Sequence, residues 1–193
     1  TPQGISITAQ PVGGLDYCGN GLSVTASGAT GLSYQWQYLD EYGNWSNVYQ
    51  GTSATLPASN GTLQGWATNS MNVTVRVVVS KSGLSSATSN SVTYQPRRET
   101  ITVTQSPAYS VSASPGTTIN LSVSISSPHS CTPTVAWGKL PYNDESYYSY
   151  TSICTDSSSC SFSSTGLNGY GIKATVTPKY GSAVSKNWVL NVR

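Results

Sequence analysis

The feature that most constrains this chain is an alternation of apolar and polar residues that runs through it twice. It covers residues 4–10, 22–26, 32–39, 73–77 and 89–94, then 101–105, 119–125, 134–137, 171–176 and 185–192. In the first segment Ile5, Ile7 and Ala9 share one face. A period of two sends successive side chains to opposite faces, so each segment reads as a half-buried strand with one apolar and one hydroxyl-bearing side. Turns rich in Gly, Ser and Asn separate them, and several short strands at this spacing favour a sandwich or barrel. Trp36 and Trp137 lie 101 residues apart, each in the third strong strand of its half. The expectation is an all-β chain of two domains on one plan, 1–96 and 97–193.

Composition agrees with that plan. A length of 193 residues suits one large domain or two small ones. Ser and Thr supply 57 residues and Tyr 13, and 8% of the chain is charged. Little Lys, Glu, Leu or Ala remains to build helices, whereas β-branched residues and Tyr suit strands. Trp, Tyr, Val and Ile recur too regularly for an unfolded polar chain. No apolar run approaches the ~18 residues of a membrane span, and a net charge of +2 gives no basic footprint for nucleic acid. The expected partners therefore include no nucleic acid, and the chain is not expected to span a membrane. Residues 95–99, Gln-Pro-Arg-Arg-Glu, concentrate three charges in five positions. Pro96 cannot donate to a central ladder, so this stretch reads as a hinge between domains.

The first residue is Thr1, which reads as a mature chain whose signal peptide has been removed. Four cysteines in a chain so poor in charge suggest an oxidising exterior. Cys18 stands alone in the first half, while Cys131, Cys154 and Cys160 lie in the second. Closure of the short 154–160 loop leaves Cys18 with Cys131, although four cysteines allow three connectivities. Secretion would also make Asn44, Asn60, Asn72 and Asn120, each in an Asn-x-Ser/Thr triplet, acceptors for N-linked glycans where they face solvent. That number of triplets is no more than chance supplies.

Catalytic chemistry finds few titratable groups to use. His129 is the single imidazole, two residues from Cys131. A Cys–His nucleophile there lacks an orienting acid nearby in sequence, and a loop histidine beside a disulfide is the plainer reading. Zinc on His129 and the three nearby cysteines would need a Cys154–Cys160 gap longer than the usual spacing. Asp40-Glu41 and Asp144-Glu145 fall on connecting segments, where solvated loops are commoner than a glycosidase pair facing one cleft. An isopeptide link from Lys139, Lys173 or Lys186 to Asn187 or Asn191 would require a buried acid too. The chain is expected to be no enzyme and to need no cofactor. One cluster suggests a contact surface: Tyr142, Tyr147, Tyr148 and Tyr150, aromatics that stack on sugar rings if they face out and line a rim if they alternate inward.

The placement of Trp36 and Trp137, each followed some 35 residues later by an alternating strand, resembles the immunoglobulin-like sandwich. In Leu167-Asn-Gly-Tyr-Gly-Ile, Tyr170 stands two residues before Ile172, and this resembles a tyrosine corner. The family's second inter-sheet cysteine position would then be held by Val77 and Ile172. Gln10-Pro11, Tyr34-Gln-Trp-Gln, Asn44-Trp-Ser-Asn, Thr52-Ser-Ala-Thr-Leu and Thr88-Ser-Asn-Ser-Val resemble the immunoglobulin-like modules repeated in large prokaryotic surface proteins. The expected fold is two tandem immunoglobulin-like antiparallel β-sandwiches.

With so few carboxylates, acidification removes little ion pairing and adds little self-repulsion. The low charge and abundance of Ser, Thr, Tyr and Asn are similar to surface proteins of thermoacidophilic archaea. Among these the chain resembles thread pilins, glycosylated immunoglobulin-like subunits joined head to tail by donor strands. The resemblance implies an extracellular homopolymer built by strand addition. Residues 1–12 would complete a groove in a neighbour, with Ile5, Ile7 and Ala9 as the subunit contact. An ordinary first strand within its own domain is the competing reading. The alternative functions are a carbohydrate-binding or adhesive module working through residues 142–150, and a spacer repeat of a larger surface protein.

Overall fold

A computed structural model of the chain describes residues 4–141 and 150–193. The chain divides into two compact units, Thr1–Arg98 with Lys179–Gly181, and Glu99–Pro178 with Ser182–Arg193. Each is a β-sandwich, and the two share an order of elements.

The first unit contains β1 (Ser6–Ala9), β2 (Gly14–Asp16), β3 (Leu22–Ser23), β4 (Thr25–Ser27), β5 (Ser33–Leu39), β6 (Trp45–Asn47) and β7 (Thr55–Leu56). It continues with α1 (Gly61–Thr68), β8 (Val73–Ser80), β9 (Ala87–Thr88) and β10 (Val92–Pro96). One sheet runs β2-β10-β8-β5-β6, with β9 also paired to β8. The opposing layer is broken into two pairs, β1-β4 and β3-β7. In β8, Val73, Val75, Val77 and Val79 are all buried, as the period-two pattern requires. They meet Trp36, Leu22, Leu56, Leu63 and Trp66 in one core. Each fully buried side chain of this size contributes ~1.5–3 kcal/mol relative to exposure.

Helix α1 is absent from the sequence expectation. Its two glycines, its threonines and its lack of charge give it a weak intrinsic signal. Tertiary packing and a cap make it form. The Asn60 side chain accepts a hydrogen bond from Thr62 N at 2.9 Å, and Leu63, Trp66 and Ala67 present one face to the core. The expected strand over residues 22–26 is divided, because Val24, between β3 and β4, donates its N–H to Ala54 O.

The second unit contains β11 (Thr102–Ser106), β12 (Ser110–Ala113), β13 (Thr118–Ser126), β14 (Thr134–Pro141), β15 (Thr151–Thr155), β16 (Ser159–Ser163), β17 (Tyr170–Thr177) and β18 (Val184–Val192). Its two sheets are β11-β13-β16 and β12-β18-β17-β14-β15. All pairings in both units are antiparallel except β2 with β10 and β12 with β18, which are parallel. Trp137 and Trp188 stack at the centre, with ring centroids 5.3 Å apart. Each central Trp spends its indole N–H on a downstream carbonyl, Trp36 on Ser53 and Trp137 on Ser157. Among the described residues no buried side-chain donor is left without a partner.

Two expectations drawn from the resemblance change in detail. Val77 lies opposite Trp36 in register, but Ala174, not Ile172, lies opposite Trp137. Ile172 pairs with Trp188 instead, and the small Ala174 fits beside the stacked indoles. Tyr170 is half-buried at the end of β17, and its ring faces Lys139 Nζ at 5.9 Å. Among the described residues its hydroxyl makes no corner hydrogen bond. The two units divide within residues 95–99, between Arg98 and Glu99. Gln95 and Pro96 belong to β10, opposite Leu15 and Asp16, and Arg97 donates to Met71 O and Asn72 Oδ1. Glu99 is buried in the second unit.

Candidate interaction surfaces

Each unit encloses one polar cluster that the sequence reading did not assemble. In the first, Asp16 is buried at the end of β2. Its Oδ1 accepts from Asn20 N and Nδ2, and its Oδ2 accepts from Gly21 N and, at 2.6 Å, from the Tyr94 hydroxyl. The Tyr94 and Tyr180 hydroxyls are 2.8 Å apart. Burial, then the bonds to Asp16 and Tyr180, pushes the Tyr94 phenol far above its ordinary value. Burial likewise pushes Tyr180 up to about 12, opposed by its hydrogen bond with Tyr94 and helped by the Asp16 charge. These phenols are structural groups, held neutral and fully paired.

In the second unit the Glu99 side chain is wholly buried. Ser127 Oγ donates to its Oε1 at 2.5 Å, and His129 Nδ1 lies 2.6 Å from its Oε2. Burial is the largest influence on this carboxyl and pulls its pKa up. The hydrogen bonds from Ser127 and His129 outweigh it and hold Glu99 below the usual carboxylate value. His129 therefore has an orienting acid, 30 residues away in sequence, which the spacing of charges did not reveal. The nucleophile half of that reading falls away, because Cys131 is disulfide-bonded and carries no thiolate. Cys154 and Cys160 are joined, Cys18 is also disulfide-bonded, and no cysteine is free. Among the described residues no three His, Cys, Asp or Glu side chains gather as a metal site.

The remaining site residues fall into three groups. Strand β1 pairs with β4 of its own unit, Ile7 opposite Ala26, through three register pairs interrupted by an irregularity. Ile5 and Ile7 pack half-buried against the core, while Ala9 is exposed. Of the Asn-x-Ser/Thr triplets, Asn44, Asn72 and Asn120 are exposed. Asn60 leaves that set: it is buried, its Oδ1 caps α1, and its Nδ2 donates to Tyr49 O. A glycan on that nitrogen would break the tyrosine contact. Asp40-Glu41 sits in the β5–β6 turn, where Asp40 Oδ1 accepts from Tyr42 N and Asn44 N, an ordinary turn role. Asp144-Glu145, Tyr142, Tyr147 and Tyr148 lie outside the described residues.

Tyr150 is described, and it is exposed. It lies across the outer face of the five-stranded sheet, packed so closely on β14 that a side chain at Gly138 would collide with its Cβ. Lys173 Nζ on β17 stands 5.2 Å from its ring centroid. A depression of about 200 Å³ opens on each side of it. One is floored by Ala136, Gly138 and Thr175, the other by Gly171, Asn187 and Val189 with Tyr109 at the margin.

No protein-family model matches the chain, and no curated protein aligns with it significantly. Among solved structures it is similar to the fibronectin(III)-like modules of Clostridium thermocellum CbhA, at 10% identity and a TM-score of 0.47, covering 98% of this chain and 94% of that one. It is also similar to immunoglobulin domains 1–4 of Sidekick-1 (14%, TM-score 0.39, 99% and 49%) and to a chimeric titin Z1Z2-Z1Z2 tandem (15%, TM-score 0.36, 98% and 99%). This chain thus spans about half of the Sidekick-1 structure. At such identities nothing about activity follows. The paired sheets, the first strand divided between them and the Trp at the centre of each core make the chain two tandem immunoglobulin-like β-sandwiches.

Proposed function

We propose that this chain is a non-catalytic structural subunit of an extracellular filament, joined head to tail by exchange of its first strand. The oxidised cysteines fit an oxidising exterior. A surface with few charges and many hydroxyls fits a mechanical role under changing pH and salt. The observation that carries the reading is the seat of β1. Three of its four residues pair with β4 in a sheet of only two strands, yet Ile5 and Ile7 fill the rim of the core. A strand held by few ladder bonds that fills a specific slot can be replaced by the same strand of another copy. The contacts are conserved and only their connectivity changes. Because the contact is heterologous, it propagates into a fibre instead of closing a dimer.

A cysteine pair tests this. Residues opposite one another in an antiparallel ladder have Cα atoms about 4.5–5.5 Å apart, a span that a disulfide bridges. In a variant carrying Ile7→Cys and Ala26→Cys, concentrated before oxidation, exchange yields a ladder of covalent oligomers on a non-reducing gel. A monomer band alone at every concentration would falsify strand exchange.

A further inference from the structure

We infer that the outer face of the five-stranded sheet in the second unit is a glycan-binding trough, with the Tyr150 ring as its platform. This goes beyond the filament reading and does not depend on it.

Register explains how the trough arises. Along β17 the outward positions are Gly171, Lys173 and Thr175, because Ile172, Ala174 and Val176 are buried. Gly138 on β14 pairs with Lys173, which pairs in turn with Asn187 on β18, while Gly171 pairs with Val189. Two positions that would ordinarily carry outward side chains are therefore glycine, one beneath each side of Tyr150. Gly138 gives the Tyr150 side chain room to lie down on β14, and Gly171 leaves the floor low on the other side of the ring. Tyr150 borders both depressions, each about 200 Å³.

The lining suits a sugar better than an apolar ligand or a peptide. An aromatic ring takes the C–H face of a pyranose, while the hydroxyls around the ring need donors and acceptors at the margin. Ser152, Thr175, Asn187 and the Lys173 ammonium supply them, and Ser152 and Asn187 are exposed. Thr175 Oγ1 lies 3.3 Å from Ser185 Oγ, which extends the hydroxyl row across to β18. Among the described residues no carboxylate lines either depression, and the Lys173 ammonium offers attraction to an acidic sugar. A flat, rigid aromatic with a polar rim binds a ring-shaped polyol at little conformational cost. The two depressions on either side of one ring suggest two adjoining sugar units of a chain.

The test uses the full chain on an array of immobilised manno-, cello-, chito- and polyuronate oligosaccharides, with titration against the soluble form of whichever class binds. At least one class is expected to bind. Tyr150→Ala and Lys173→Ala should each weaken binding by about tenfold or more, while Tyr150→Phe stays close to wild type. Tyr42→Ala, at an exposed tyrosine of the first unit, should change nothing. Absence of binding to every class, or binding that survives both Tyr150→Ala and Lys173→Ala, would overturn the inference. Loss in Tyr150→Phe equal to that in Tyr150→Ala would overturn the stacking role. Fibres scored in the same preparations keep the two readings separate, since Tyr150→Ala leaves β1 and β4 untouched.

Discussion

Both units place a first strand over a Trp-centred core, and they hold it by different means. In the second unit β11 makes five uninterrupted register pairs with β13, which is itself paired to β16. Ile101, just before β11, and Val103 within it are fully buried. In the first unit β1 makes three pairs with an irregularity among them, and its sheet ends at β4. The layer that is continuous in one unit is split in the other, where β7 has two residues and α1 adds Leu63, Trp66 and Ala67 to the core. Ladder hydrogen bonds thus fix the first strand of the second unit, while side-chain insertion of Ile5 and Ile7 fixes that of the first. The lesson is that one layer of a sandwich can be weakened without loss of the fold, provided that a helix and a polar cluster restore the burial.

The largest effect should come from emptying the part of the first core that α1 fills. Trp66 is buried in α1 and meets Tyr38 edge-on at 5.6 Å. Trp66→Ala should cost about 3–5 kcal/mol in denaturant unfolding. Hydrogen exchange should show β5 and β8 losing protection while β17 and β18 keep theirs, because the two cores share no residue. Equal loss in β17 and β18 would break the comparison.

A smaller effect should come from the staple that the first unit lacks. Cys154 lies in β15 of one sheet and Cys160 in β16 of the other, so their bond ties the two layers of the second unit together. For a loop this short, chain entropy gives about 2 kcal/mol. The double variant Cys154→Ala with Cys160→Ala should lose about that much stability. Amide exchange should then rise in β16 and along its ladder with β13, making the second unit's front layer more like the first's. Unchanged protection there would mean that strand pairing alone holds the layer.

Much of this was legible in the residues. The alternation located every long strand, since burial in β8, β13 and β17 follows the period of two. What escaped had a physical reason in each case. Helix α1 spans only two turns and carries two glycines, so neither its propensity nor its periodicity could stand out. The partnership of Glu99 with His129 and Ser127, and that of Asp16 with Tyr94 and Tyr180, joins residues 28–86 positions apart. Such contacts are set by tertiary register and leave no local pattern. Tyr150 was singled out as an aromatic, but the glycines at 138 and 171 that shape its surroundings gained meaning only once the cross-strand pairs were known.

The smallest expected difference is also the most specific, because the two buried polar clusters carry opposite protonation demands. Glu99 has a folded-state pKa below its ordinary value, so the stability it adds is fully present above about pH 4.5 and fades as pH falls through the folded value. Tyr94 and Tyr180 are raised, so their contribution is fully present below about pH 10 and fades as pH climbs towards about 12, where Tyr180 ionises. Amide exchange followed from acid to alkali should therefore soften β11 and β13 first at low pH, and β2 and β10 first at high pH. Glu99→Gln should flatten the acid limb in the second unit and leave the alkaline limb alone. Tyr94→Phe should cost about 1 kcal/mol at neutral pH and shrink the alkaline limb. Asp16 Oδ2 keeps Gly21 N as a donor in that variant, while the buried Tyr180 hydroxyl loses its Tyr94 partner, which is the main source of the cost. If the alkaline loss appeared instead in β11 and β13, the phenols would not be what ties β2 to β10.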